Sequence, residues 1–173
     1  MFNHSTMATS SLQRNNWVAV SNVQAHSSPS ESSDMTFEEE VIKCFQILTG
    51  RFQFYARLWL KIIVSLERLN EYDLDLSSCV NINLFIRSMD LFGRANAVYS
   101  KFFGSCPPAR ACVGVDLPEN IGVRLDCVAI KEIYSSDRQS LHVQGLSYWA
   151  PANIGPYSQA ITVRQGLCYP ASV

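Results

Sequence analysis

Arg110 and Cys112 stand two residues apart in the stretch CPPARACVGVDL (106–117), where residue types and spacing suggest chemistry most directly. Alternate residues of a strand share a face, so both side chains point the same way if the stretch is extended. A guanidinium inside a sheet is costly unless something pairs with it, and its planar fork matches a carboxylate. Arg110 is therefore a candidate receptor for the carboxylate of a small ligand, or for an acidic side chain across a subunit interface. A surface arginine on an edge strand fits the same pattern. Cys112 has no histidine at catalytic spacing and reads as a small packed residue. His4, His26 and His142 stand far apart, and no Cys/His cluster has zinc-ligand spacing. No catalytic residue and no metal site is assigned.

The elements that must position Arg110 follow from hydrophobic periodicity. Residues 17–24 (WVAVSNVQ) are rich in β-formers and predict a strand. The serine-rich run 25–34 predicts a loop. Thr36 and Glu39 have capping-box spacing, and Phe37, Val41, Cys44, Phe45 and Leu48 then recur as one helical face. The segment 49–66 (TGRFQFYARLWLKIIVSL) follows neither period. It is either an insertion separating Leu48 from Glu67 or part of one long buried helix. Val80, Ile82, Leu84 and Ile86 alternate as in a strand. Met89, Phe92, Ala95, Tyr99 and Phe102 return to helical spacing, with Gly104 as the expected C-cap. Residues 110–117 and 122–130 predict two further strands, joined by a turn at Pro118–Gly122. Strand, helix, strand, helix, strand, strand implies an α+β fold: a mixed sheet with two helices on one face.

Composition excludes several classes. The 173 residues are 47% hydrophobic and 17% charged, with a formal net charge of −1. That balance gives no field suited to nucleic acid or an anionic membrane. The most apolar stretch, 52–69, is interrupted by Arg57, Lys61 and Glu67 and is too short and charged to span a bilayer. Six cysteines without a paired pattern suggest free thiols in a reducing compartment, and the polar N-terminus lacks a signal-peptide core. The expected location is the cytoplasm.

The stretch PPARACVGVDLPENIGVRLDCVA (107–129) resembles the signature of the RidA (YjgF) family, and FGRANAVYSKFFG (92–104) resembles that family's second helix, with Asn96 and Tyr99 at its recurring positions. The resemblance covers roughly residues 17–130. It implies a chorismate-mutase-like βαβαββ module, trimers, and ligand pockets at subunit interfaces. It also implies hydrolysis of enamines and imines, with the arginine holding the substrate carboxylate and a glutamate on the last strand positioning water. Arg124 occupies that glutamate's position here, and Asp126 lies about 7 Å along the same face. A cation cannot activate water as an acid would, so a binding pocket is expected in place of a deaminase. A free-standing enamine/imine deaminase is the alternative.

The stretch WAPANIGPYSQA (149–160) is similar to the start of the second RidA-like module in the diphthine–ammonia ligase family. That likeness implies an ATP-using domain ahead of two such modules, diphthamide biosynthesis and elongation factor 2 as a partner. No S-G-G-K-D-S loop or other Gly-rich phosphate cradle occurs in the sequence, so no cofactor is expected in this chain and ATP belongs to the family's other domain. The expected organisation is a disordered N-terminus at 1–16, a RidA-like module at 17–133 with an unusual insertion at 49–66, a linker at 134–140, and an incomplete second module at 141–173. A fragment, or a product of unusual splicing or gene prediction, would account for these departures. Expected ligand-binding residues are Arg110, Cys112, Asn96 and Tyr99, with Tyr157 in the second module. Expected partners are copies of the chain in trimer-like packing and a small carboxylate, with no nucleic acid and no membrane.

Overall fold

A computed structural model of the chain describes residues 8–25, 35–63, 74–132, 135–145, 147–148, 151–163 and 167–170. Five strands form the first sheet: β1 (Ser10–Arg14), β2 (Trp17–Val23), β3 (Cys79–Ile86), β4 (Ala109–Gly114) and β5 (Val123–Ile130), in the order β1-β2-β5-β3-β4. Among the described strand pairs of this sheet, only β3 and β4 run parallel. Helices α1 (Phe37–Ile63) and α2 (Phe92–Tyr99) cover one face. Under them Val18, Val20, Val41, Cys44, Phe45, Leu48, Ile82, Leu84, Ile86, Tyr99 and Leu125 form one buried core. The periodicities of two and 3.6 thus become the two surfaces of a single apolar layer.

The α1 cap forms as expected: Glu39 Oε2 accepts from the Thr36 amide at 2.8 Å, and Thr36 Oγ1 accepts from the Glu39 amide at 3.4 Å. The backbone stays helical without a break through to Ile63, so 49–63 continues α1 as the long-helix alternative requires. The remainder of the 49–66 segment, like most of the serine-rich loop at 26–34, lies outside the described residues.

Four expectations are corrected. The N-terminus is ordered from residue 8, because β1 finds a full antiparallel register on β2, Ser10 to Ser21 through Arg14 to Trp17. Gly104 does not cap α2. The helix ends at Tyr99, and the amides of Ser100, Lys101 and Phe102 tighten the last turn onto Asn96, Val98 and Tyr99 carbonyls. Pro118–Gly122 does not join neighbouring strands, since β3 lies between β4 and β5. The connection crosses the end of β3, where one Arg87 nitrogen donates to the carbonyls of Pro118 (2.6 Å), Glu119 and Ile121 (2.8 Å). Buried Glu40 accepts from the Gly122 amide there, and a Cβ on Gly122 would stand 2.4 Å from that carboxylate.

The fourth correction concerns the linker. β6 (Arg138–Leu141) begins within it and pairs with β7 (Ala160–Val163), which pairs with β8 (Leu167–Pro170). Arg138 holds this second sheet to the first by bonding Glu132 at 2.5 Å and the Ser77 carbonyl at 2.6 Å. Ile161 and Val163 pack against Val80, Ala109 and Ile130 on the face that the helices leave open. Among the described residues, no helix is long and apolar enough to cross a membrane.

Candidate functional site

β4 is an edge strand, yet Arg110 is only 2% exposed because its side chain turns inward beneath α2. The carbon of its guanidinium lies 4.6 Å from the Tyr99 ring centre, 5.1 Å from Tyr157 and 5.6 Å from Phe92. Each ring face attracts the cation, by about 0.5–2 kcal/mol. Among the described residues, none of Nε, Nη1 and Nη2 finds a hydrogen-bond partner, and neither do the buried Oδ1 of Asn96 and hydroxyl of Tyr99. Aromatic faces do not replace the hydrogen bonds of hydration, so burial leaves this cation incompletely compensated by the described residues.

Electrostatics support an anion receptor and argue against nucleophilic chemistry. Burial lowers the arginine's pKa from its usual value, opposed by Tyr99 and Cys112, but a guanidinium remains charged in proteins. Burial raises the Tyr99 phenol well above its ordinary range despite Arg110 beside it. It also raises the half-buried Cys112 thiol, again opposed by Arg110, so that thiol stays protonated at neutral pH.

The third wall comes from the second segment. Asn153 Nδ2 donates to the carbonyls of Gly155 and Tyr157, both at 2.9 Å, and shapes a tight turn closed by Tyr157 N–H to Gly155 O at 2.9 Å. The Gln159 side chain brackets the loop by pairing with both backbone groups of Val143 and with the Pro151 carbonyl. Ser158 is fully buried; its hydroxyl donates to Pro107 O at 2.7 Å and its amide to Pro108 O at 3.1 Å. Residues 151–160, the described part of the WAPANIGPYSQA stretch, thus build a loop that delivers Tyr157 and Gly155 to Arg110.

Of the residues singled out in the sequence, the structure brings Asn96, Tyr99, Cys112 and Tyr157 around the Arg110 guanidinium. Tyr157 joins the first module's pocket, although sequence assigned it to the second. Phe92 and Gly155 were missed as pocket residues: Phe92 was legible only as part of a helical face, and Gly155 only as part of a motif. Arg124 does not join. It pairs in register with Phe85 and lies over that ring at 5.4 Å, on the sheet face opposite the core-facing Leu84 and Leu125. Asp126 accepts from the amide of Asn22 at 2.7 Å, holding the irregularity in β2 where Asn22 adopts φ 59°.

The Endoribonuclease L-PSP family model matches residues 56–131, beginning inside α1. Diphthine–ammonia ligase of Saccharomyces cerevisiae is 46% identical over 92 residues, which are 47% of this chain and 13% of the ligase. The Schizosaccharomyces pombe ligase is 38% identical over 96 residues, 55% of this chain and 15% of that protein. The chain therefore spans about one-seventh of the length of these relatives. Among solved structures, yeast Mmf1 superposes with a TM-score of 0.54 at 24% identity, covering 76% of this chain and 90% of Mmf1. Residues 56–131 thus match the Endoribonuclease L-PSP model, the fold is that of the solved RidA-type structures, and the chain is similar to a region of diphthine–ammonia ligases.

Proposed function

We propose that this chain is a binding module of a diphthine–ammonia ligase-type protein, in which Arg110 receives the carboxylate of a small ligand. The observation that carries the reading is the guanidinium itself: 2% exposed, ringed by three aromatic side chains, with no hydrogen-bond partner for its nitrogens among the described residues. A carboxylate entering beside it would accept two parallel hydrogen bonds and neutralise the charge. Asn96 and Tyr99 supply further polar groups, while Cys112 and Tyr157 bound the space. Trimer-like self-association and elongation factor 2 as a partner come from the family likeness, and a cytoplasmic location from the free thiols.

The deaminase alternative lacks an acid here, because Arg124 stands at the glutamate's position and turns away from Arg110. The test is an NMR titration with sodium acetate at constant ionic strength. Saturable shifts around Arg110 that disappear in Arg110→Ala are expected. Identical titrations of the two proteins, or no saturation, would overturn the reading. Hydrolysis of a dehydroamino acid by the unsubstituted chain, lost in Arg110→Ala, would move the assignment to the deaminase.

A further inference from the structure

Three features of the second segment meet at Arg110. Ser158 is fully buried and bonds the carbonyls of Pro107 and Pro108, the two residues leading into β4, and it forms an isolated parallel bridge with Ala109. This fastening lies one residue before Arg110. Tyr157 then places its ring over the guanidinium. At Gly155 the backbone passes so close that an added Cβ would stand 2.9 Å from Arg110 Nη2 and 3.1 Å from both amide atoms of Asn96. Only a residue without a side chain fits there unless its neighbours shift.

We propose that the loop Gly155–Ser158 is a latched wall of the Arg110 pocket, so that anion binding at Arg110 and docking of the second sheet reinforce each other. The inference rests on Arg110 being an anion receptor. With the wall docked and no anion present, the guanidinium is dry and unpaired; with the wall undocked, water reaches it. An anion removes the cost of the docked state and leaves the undocked state little changed, so it must favour docking. Reciprocity then requires that loosening the wall weaken the anion. Gly155 also lets the backbone lie against Arg110 and Asn96, where any side chain would crowd the guanidinium.

The experiment uses the full chain and sodium acetate at fixed ionic strength, with NMR for affinity and amide exchange for docking. Exchange at Ala160–Val163 should slow about tenfold at an acetate concentration ten times its dissociation constant, and not at all in Arg110→Ala. Ser158→Ala should bind acetate roughly fivefold more weakly, as expected for a lost buried hydrogen bond. Gly155→Leu, which removes no contact from either hydrophobic cluster, should abolish binding and carries the test if Ser158→Ala releases the second sheet entirely. Acetate bound as tightly by Ser158→Ala and Gly155→Leu as by the unsubstituted chain, with unchanged exchange in β7, would overturn the latch and leave the receptor standing. Failure of the unsubstituted chain to bind acetate would remove both.

Discussion

Arg110 shows how a residue can weaken a fold while equipping it. A buried cation without hydrogen-bond partners costs more than ring contacts return. Replacing it with a flexible apolar residue of similar length keeps the packing against Tyr99, Phe92 and Tyr157. Arg110→Met should therefore raise stability by about 1 kcal/mol or more while losing acetate binding, as measured by chemical denaturation beside the titration. A drop in stability would mean that the ring contacts outweigh desolvation. Sequence made Arg110 a candidate through its place in the Pro-Ala-Arg strand signature. Its burial could not be read there, because an edge strand usually exposes a charged side chain and only the roof of α2 and the Tyr157 loop decide otherwise.

At the scale of elements, local signals worked where local forces dominate. Thr36 and Glu39 cap α1 because both partners lie within one turn. Pairing of the two helices is less local: Arg94 on α2 forks onto Glu38 in the first turn of α1, with both contacts at 2.6 Å. That hydrogen-bonded pair lowers the Glu38 pKa from 4.5 to about 2. A lowered folded-state value stabilises above pH 4.5, and the benefit disappears as pH falls through about 2. Melting temperature measured from pH 5 down to 2 should thus fall less steeply in Glu38→Gln than in the unsubstituted chain, and salt should shrink the difference because the pair is exposed. Parallel slopes would deny the pair any role in acid sensitivity. The segment 49–66 shows where element-level reading stops. Its residues tolerate a helix, so propensity cannot decide whether they continue α1 or interrupt it; the backbone continues as far as Ile63.

For the whole molecule, the decisive feature is the sheet face opposite the helices. The second sheet covers it around Val80, Ala109 and Ile130. Elsewhere Leu12 is 71% exposed and Val113 44% exposed, with half-buried Phe85 near the latter on the adjoining strand. Apolar side chains left on a sheet face suit packing against a second copy. Light scattering should accordingly give a mass above that of one chain, and Val113→Asp should reduce it toward the monomer by burying an unpaired charge in that contact. A monomer at all concentrations before substitution would rule out self-association through this face. The Arg110 pocket should still bind acetate in Val113→Asp, since its third wall comes from the same chain.

By itself the sequence determined the α+β class and the apolar faces of its main strands and helices, and singled out Arg110 and Cys112; the family likeness added Asn96 and Tyr99. Strand alternation, helical spacing and short motifs are carried by neighbours along the chain, and residues two, three or four apart settle them. Tertiary structure alone decided that β3 separates β4 from β5, that Arg124 faces away from Arg110, and that Tyr157 closes the first module's pocket. Each depends on which surfaces meet across dozens of residues. The pairing of β5 with β3, and the bonds from Ser158 to Pro107 and Pro108, have no local signature that a linear reading could detect.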